Sequence, residues 1–344
     1  SDSSGASNRS RPRSSGLVFS STIDRELASI DKINDPLANS LVCAGKSHVG
    51  IYRFNKEDRS IRLIHDVTKT ESPHARLQSS SMFAPRRNRQ SKFSTISDVK
   101  SGFQNLNNYV AVCANSTSIS VFDINNNTNP LLTSLNEHKR SVNSFDFNMV
   151  QTNLLISGGQ DGCAKIWDLR ANSAANLKNN GRCEININTA YDSIRDIKWM
   201  PSYSFDSLVG NESTPSSINS GNINGTTARS NSGYKFASIH DSGVLLKFDL
   251  RQPQQFEKKI NAHTGPGLCL NWHPNLDYIV TGGRDGKCCL WYVGDRDPHS
   301  TNYISSNISV FPETTINFGS PITKLKFCPA YNEEPHNSSL AISS

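Results

Sequence analysis

The sequence lacks the short motifs that announce a cofactor, a membrane span or secretion. Its eight cysteines include no C-x-x-C pair, so we expect no zinc site in this segment. No apolar run is long enough to cross a membrane, and no signal peptide is visible. Residues 282–287 look like a phosphate loop, but Thr281 and Cys288 break the Walker spacing. These absences favour a cytosolic protein with reduced cysteines and with no cofactor or small-molecule substrate in this segment.

Apolar residues are also scarce, at 35% of the chain. Residues 1–15 are mostly Ser, Arg, Gly and Asn, and we expect them to form a disordered tail. Polar stretches near 70–100 and 201–233 are predicted to be insertions in loops of one domain over residues 16–344. Because no Met begins the chain, we also expect a fragment or a processed piece.

One short phrase occurs twice, 124 residues apart. The segment LISGGQDGCAKIW at 155–167 is echoed by IVTGGRDGKCCLW at 279–291. Each copy contains an apolar strand, a hydroxyl residue, a tight turn with Asp and Gly, and a second strand that ends in Trp. A hairpin repeated at this scale predicts an all-β fold, a β-propeller.

Weaker copies of the hairpin set the number of blades. The aromatic residue near the end of each second strand recurs at Tyr52, Phe122, Trp167, Phe248 and Trp291. Successive aromatic positions are 70, 45, 81 and 43 residues apart. The two long steps contain the predicted insertions, and without these insertions each step is close to the length of one blade. At least five blades are therefore predicted. Residues 321–329 open a sixth, which we expect to be incomplete because the chain stops at its second strand.

Two of the predicted blades also carry a histidine upstream of the hairpin. The pattern resembles the structural tetrad of the WD40 family, in which a buried indole N–H donates to a hydroxyl, the hydroxyl to His, and Asp fixes the imidazole. The two sets are His138, Ser157, Asp161 and Trp167, and His263, Thr281, Asp285 and Trp291. A hydrolase triad is the alternative, but no Gly-x-Ser-x-Gly elbow surrounds either hydroxyl and each set includes a Trp.

The other blades depart from the tetrad pattern. In the fourth, Ala190 stands at the His position, Ser242 at the Asp position and Phe248 at the Trp position. The first two blades carry Tyr52 and Phe122 in place of Trp. We expect these three blades to be held by packing alone.

Several phrases resemble one WD40 family more closely. Residues 193–199, 262–274 and 281–287 resemble the N-terminal propeller of one fungal SEA-complex subunit family, the counterpart of animal WD-repeat protein 24. The resemblance implies a non-enzymatic scaffold whose partners are other subunits of a SEA-type complex. It also implies peripheral attachment to the cytoplasmic face of the vacuolar membrane, where such complexes relay amino-acid status to the TOR kinase. In that family a zinc-binding RING-type domain is expected only downstream of this segment.

Partners of propellers usually dock on the face that carries the hairpin turns. Arg140, Arg195 and Arg284 are predicted to lie there, and Arg is enriched at the energetic centres of interfaces. They are the candidate contacts of a partner protein.

A basic cluster offers the alternative to a scaffold role. Arg86, Arg87, Arg89 and Lys92 lie in the first predicted insertion of a chain with a formal net charge of +6. Such a cluster has the charge to contact anionic lipid or nucleic acid, although a solvated loop is the commoner outcome. Because aromatic residues suited to base stacking are not clustered, binding of nucleic acid is not expected.

Overall fold

The computed structural model describes residues 26–34, 39–46, 48–55, 57, 60–67, 96–126, 130–172, 182–201, 232–274, 276–294, 311–327 and 339–343. The tail predicted over residues 1–15 and most of both predicted insertions lie outside the described residues. So does the basic cluster at Arg86, Arg87, Arg89 and Lys92.

Within the described residues, the chain forms five antiparallel sheets of four strands and a sixth of two strands. The first sheet contains β1 (Leu27–Lys32), β2 (Ser40–Gly45), β3 (His48–Asn55) and β4 (Ser60–Asp66). The second contains β5 (Ile96–Ser101), β6 (Tyr109–Ala114), β7 (Ile119–Asp123) and β8 (Leu131–Leu135). The third contains β9 (Val142–Phe147), β10 (Leu154–Gly159), β11 (Cys163–Asp168) and β12 (Cys183–Asn188).

The fourth sheet contains β13 (Ile194–Trp199), β14 (Lys235–His240), β15 (Val244–Asp249) and β16 (Phe256–Asn261). The fifth contains β17 (Gly267–Trp272), β18 (Tyr278–Gly283), β19 (Lys287–Tyr292) and β20 (Thr314–Asn317), and the sixth contains β21 (Lys324–Phe327) and β22 (Leu340–Ser343). Short 3-10 turns span Gln104–Leu106, Leu169–Asn172 and Ser232–Tyr234. In every sheet, each strand pairs with the next one along the sequence.

Burial follows the position of a strand within its sheet. The second and third strands are almost wholly buried, as in β10 and β15, because apolar layers cover both of their faces. The fourth strands, such as β16 and β20, are largely exposed. The first strands alternate between buried apolar residues and polar residues, as a half-buried strand does.

The hydrophobic core consists of layers shared by neighbouring sheets. The layer between the third and fourth sheets joins Ile156 and Ile166 to Ile197, Phe236 and Phe248. Similar layers join the other neighbours in chain order, and the first strands of successive sheets pack against one another. No sheet buries its apolar faces alone, which is the packing logic of a repeat fold. The prediction of an all-β propeller is confirmed.

One predicted boundary was wrong. The first predicted insertion extends to about residue 100, whereas residues 96–101 form β5, the first strand of the second sheet. Ile96 and Val99 are fully buried, and Asp98 is only 3% exposed. The polar residues of this strand are structural, but in the sequence they continue the polar stretch before them.

A ladder of polar contacts joins the first strands of neighbouring sheets. At one equivalent position, a side-chain oxygen accepts a hydrogen bond from a backbone N–H of the next sheet. The pairs are Asp31 with Ser101, Asp146 with Trp199, and Asn271 with Phe327, at 2.9, 3.0 and 3.4 Å. Two residues earlier, Ser29 donates to Asp98 and Ser144 donates to Asp196, at 2.8 and 2.6 Å. These bonds fix the register between blades.

Lysines lie among these carboxylates. Lys198 pairs with Asp196 at 3.5 Å, and Lys326 of the sixth sheet pairs with Asp31 of the first at 3.8 Å. Burial alone would lower the pKa of Lys198, but Asp196 and the neighbouring carboxylates raise it instead. The first strands therefore share one network of charges.

The pKa values of two carboxyls in this network shift in opposite directions. Burial raises the pKa of Asp146 to about 6, against the opposing effects of Lys198 and Lys100. Burial acts in the same direction on Asp98, but Lys100 and its other partners hold the pKa of Asp98 below its usual value. The ionised form is therefore unfavourable at Asp146 and favourable at Asp98.

Replacing Asp146 with Asn is expected to raise the free energy of unfolding at pH 7.5 by about 1 kcal/mol. Asn removes the buried charge and keeps an oxygen for the Trp199 amide. Because the pKa of Asp146 is higher in the folded chain than in the unfolded one, the gain is full above about pH 6 and fades as the pH falls towards 4. Thermal melts at pH 7.5 and 4.5 measure it.

The matched control is Asp98→Asn, for which a lower melting temperature is expected at pH 7.5. That loss shrinks below the ordinary carboxyl pKa, because the pKa of Asp98 is depressed in the folded chain. No gain for Asp146→Asn at pH 7.5, or an equal gain at both pH values, would contradict this assignment.

Candidate functional site

The hairpin turns between the second and third strands define one end of the propeller, here named the turn face. Three of these turns close with an N–H of glycine on the carbonyl three residues earlier: Gly162 on Gly159, Gly243 on His240, and Gly286 on Gly283, at 3.2, 2.9 and 3.2 Å. The φ angles of these three glycines lie between +70° and +78°, a region that other residues enter at a cost.

In the third sheet, the structure brings all four predicted tetrad residues together. Trp167 Nε1 donates to Ser157 Oγ at 2.9 Å, and Ser157 Oγ lies 2.7 Å from His138 Nε2. His138 Nδ1 lies 3.1 Å from both carboxylate oxygens of Asp161. Since the indole can only donate, the hydroxyl hydrogen points to His138 Nε2, and His138 Nδ1–H donates to Asp161. The network runs from the core to the turn face.

Backbone amides complete the site around Asp161. Its carboxylate also accepts from the amides of Lys139 and Cys163, at 2.9 and 3.2 Å. Burial opposes ionisation, but the hydrogen bonds from His138 and these amides lower the pKa of Asp161 to about 2. The carboxylate therefore stays ionised and fixes both the histidine and its loop.

The fifth sheet repeats the arrangement. Trp291 Nε1 donates to Thr281 Oγ1 at 2.8 Å, Thr281 Oγ1 lies 2.9 Å from His263 Nε2, and His263 Nδ1 lies 3.0 Å from Asp285. Burial lowers the pKa of His263, against the opposing effect of Asp285. A neutral imidazole suits this site, because its Nε2 has to accept the threonine proton.

Both hydroxyls are closed to a substrate. The side chains of Ser157 and Thr281 are fully buried, and each oxygen already accepts from an indole and faces a histidine. A nucleophile has to reach its substrate, so this geometry does not support the hydrolase alternative.

The second glycine of each Gly-Gly pair makes room for the tetrad. A Cβ at Gly159 would lie 2.8 Å from His138 Nδ1 and from Asp161 Oδ1. A Cβ at Gly283 would contact His263 and Asp285 even more closely. This second glycine is therefore a steric requirement of the buried histidine.

The fourth sheet corrects the expectation that it is held by packing alone. Ala190 does stand at the usual histidine position, but His240 of β14 is fully buried and takes over the role. Its Nε2 lies 3.0 Å from Ser238 Oγ, and its Nδ1 donates to the Asp192 carbonyl at 3.1 Å. Ser238 and His240 lie two residues apart on one strand, so they share a face, and this spacing was the missed signal.

The first sheet corrects the same expectation. His48 is fully buried, with Nε2 2.9 Å from the Tyr52 hydroxyl and Nδ1 3.4 Å from Asp66. A Cβ at Gly50 would meet the His48 ring at 2.6 Å, which explains that glycine. In the second sheet, Phe122 stands opposite Val110, and buried Val112 lies at the position that Ser157 holds in the third sheet, so apolar residues replace the hydroxyl and the indole.

The three predicted contact arginines are exposed near the turn face. Arg140 follows His138 in the loop before β9, and Arg284 lies in the β18–β19 turn. Arg195 forms a two-point pair with Asp241, with Nε–Oδ1 at 2.6 Å and Nη2–Oδ2 at 3.1 Å. The structure thus places all three at one end of the propeller, and Arg195 alone of the three forms a recorded ion pair within the described residues.

Two further searches concern metals and membranes. Among the residues described, no three His, Cys, Asp or Glu side chains are grouped so that they could hold a metal ion. None of the helical segments that the structure describes has the length and apolar character needed to cross a membrane.

Comparison with known proteins agrees with the tetrad geometry. The family profile described as "WD domain, G-beta repeat" matches residues 129–168 and 254–292, which end at or beside Trp167 and Trp291. The chain therefore contains WD40 repeats. The two matched ranges contain all eight residues of the two complete tetrads.

Proteins similar to this chain include yeast proteins named "Restriction of telomere capping protein 1". The chain is 54% identical over 361 aligned residues to that of Saccharomyces cerevisiae, covering 98% of this chain and 26% of the relative. It is 56% identical to that of Vanderwaltozyma polyspora and 49% identical to that of Kluyveromyces lactis, with 97% and 96% of this chain covered. The chain spans about a quarter of the length of these relatives.

Replacing Ser157 with Ala is expected to lower the free energy of unfolding by about 3 kcal/mol, because the Trp167 indole and His138 both lose their buried partner. Chemical denaturation measures the loss, and the exposed Thr117→Ala serves as the control. A loss below about 1 kcal/mol would show that the hydroxyl is not the centre of a buried network.

Replacing Gly159 with Ala is expected to destabilise the chain as well, because the new Cβ would contact His138 and Asp161. The matched control is Gly265→Ala, where a Cβ would meet nothing within 4 Å. Thermal melts of both variants should show a lower midpoint for Gly159→Ala only. Equal midpoints would mean that the tetrad tolerates a methyl group at its edge.

Proposed function

We propose that this chain is a non-enzymatic scaffold for protein interactions. One observation carries the proposal: the two sets that resemble a hydrolase triad are committed to buried tetrads, whereas the turn face presents exposed arginines. WD40 repeats generally mediate contacts between proteins, which agrees with this assignment.

The geometry gives less support to the alternative, a hydrolase that uses the Ser or Thr hydroxyl. Ser157 and Thr281 are fully buried, and the histidines beside them are occupied on both ring nitrogens. Among the described residues, the turn face presents Arg140, Arg195 and Arg284 to solvent. Exposed Arg side chains suit recognition of a protein surface.

We further propose that the partners are subunits of a SEA-type complex at the cytoplasmic face of the vacuolar membrane, where the complex regulates TOR signalling. The support is the resemblance of residues 193–199, 262–274 and 281–287 to the SEA-complex WD-repeat subunits. The relatives' printed name refers to telomere capping, and the chain covers only about a quarter of their length. Membrane association would then be indirect, through the complex.

The experiment is purification of the tagged full-length protein from its native cells, followed by quantitative mass spectrometry. Wild type is expected to recover SEA-type subunits, and the Arg140, Arg195 and Arg284 triple Ala variant to lose at least one of them. The loss should be about tenfold or more, because buried arginine contacts are among the strongest at interfaces.

The control is a second triple Ala variant, at Arg53, Arg170 and Arg251, which removes the same charge away from the turn face. It should retain every subunit. A turn-face variant that keeps all subunits, or a control that loses the same ones, would contradict the proposed face. Recovery of nucleic-acid factors in place of SEA-type subunits would overturn the proposed complex.

A further inference from the structure

The turn of the fourth sheet differs from those of the third and fifth. There, Asp161 and Asp285 hold the tetrad histidines. In the fourth sheet Ser242 stands at that position, and the Asp192 carbonyl holds His240. The residue before Ser242, Asp241, contacts Arg195 near the start of β13.

The Arg195–Asp241 pair is accessible. The two side chains are 41% and 28% exposed. A guanidinium carries five N–H donors, and Asp241 takes one from Nε and one from Nη2. The donors of Nη1 are therefore left directed away from Asp241 and available to a partner.

The loop beneath the pair is rigid. The Asp241 amide donates to the Ser193 carbonyl at 3.0 Å, and Ser242 Oγ donates to the Asp192 carboxylate at 3.1 Å. From the neighbouring blade, the Asn143 side chain donates to Ser193 Oγ and to the Ile194 carbonyl, at 3.1 and 2.6 Å. The pair is thus oriented before any partner arrives, which lowers the entropic cost of binding.

Charges around the pair are balanced. Asp241 neutralises Arg195, the Asp192 side chain is 43% exposed, and Lys259 Nζ lies 5.1 Å from the centre of the Tyr191 ring. An incoming carboxylate would meet two carboxylates as well as two cations, so it gains little net attraction. A neutral oxygen that accepts from Nη1 meets no such repulsion.

We propose that Arg195 and Asp241 form a recognition pair for a main-chain carbonyl in a loop of a partner protein. Arg195 donates the contact, and Asp241 is a positioning residue that holds the guanidinium edge outward. Tyr191, half-buried in the same loop, packs against His240 and carries the Lys259 ammonium over its ring. This inference rests on the proposed function as a scaffold, and it names the chemistry of one contact.

The test uses tagged full-length protein purified from native cells, as wild type, Arg195→Lys and Asp241→Asn. The readout is the ratio of each recovered partner to the tagged protein, at 0.1 and 0.5 M NaCl. We expect each variant to lower the ratio of one partner about fivefold to tenfold, because a hydrogen bond from a charged group is lost or misdirected. The wild-type ratio should change less than about twofold with salt, since a neutral acceptor is only weakly screened.

The chain offers a matched control. Arg170 and Asp168 form the same two-point pair at the opposite end of the third sheet, at 3.1 and 2.6 Å. Arg170→Lys and Asp168→Asn should leave every ratio unchanged. Thermal melts of all four variants separate a lost contact from a lost fold, because these exposed pairs contribute little to stability.

The outcomes distinguish this inference from the proposed function. A higher partner ratio for Asp241→Asn, together with a strong fall of the wild-type ratio in high salt, would show that Arg195 contacts an acidic partner segment. That result would overturn the proposed neutral acceptor and leave the scaffold role intact. Unchanged ratios for both variants would show that the pair is not a contact. Failure of wild type to recover any protein partner would overturn the scaffold, and this inference with it, whereas recovery of partners other than SEA-type subunits would overturn the proposed complex only.

Discussion

A buried indole N–H is costly to leave without an acceptor, and the two blades with complete tetrads are arranged around that hydrogen bond. Trp167 and Trp291 fill the core between sheets, so water does not reach their nitrogens. A hydroxyl on the adjacent strand supplies the acceptor, its own proton needs a histidine, and the histidine needs a carboxylate. The last bond reaches the hairpin turn, so the packing of the core and the shape of the turn face are set by one chain of hydrogen bonds.

The same constraint has other solutions in this chain. The first and fourth sheets replace Trp with Tyr52 and Phe248, and each contains a buried histidine within or beside a central strand. His48 bonds to the tyrosine hydroxyl, whereas His240 bonds to Ser238 while Phe248 stacks on Phe236 at 5.0 Å. Because these histidines come from a different place in the sequence, the turns above them carry different chemistry. The turn of the fourth sheet, for example, carries the exposed Arg195–Asp241 pair.

The sequence predicts the fold well because the repeat rests on residues with few substitutes. Only Gly enters the turn conformation of Gly162 and Gly286 cheaply, and only a residue without a side chain fits beside His138 and His263. These two requirements produce the repeated Gly-Gly-x-Asp-Gly segment at 158–162 and 282–286. The tetrad members were visible for the same reason, since their spacing follows the hairpin.

Contacts between blades were not predictable in this way. The bond from the Trp199 amide to Asp146 joins strands 53 residues apart, and nothing local marks either partner. Strand β5 was missed because its inward-facing Asp98 and Lys100 are polar, and a polar strand next to a polar insertion has no boundary in composition. His240 is not predicted from the sequence because the tetrad pattern places the histidine at Ala190, in a different loop. In each case a tertiary partner decides the structure, and a single sequence does not reveal that partner.

The most direct test of the central claim is hydrogen exchange of the indole N–H groups, followed by NMR in wild type and in Ser157→Ala. If the hydroxyl is the centre of a buried structural network, the Trp167 indole exchanges slowly in wild type and at least tenfold faster in the variant, while Trp291 is unchanged. A Trp167 indole that exchanges rapidly in wild type, or at the same rate in both proteins, would contradict the claim that these residues are fixed for structure and leave the turn face to carry the function.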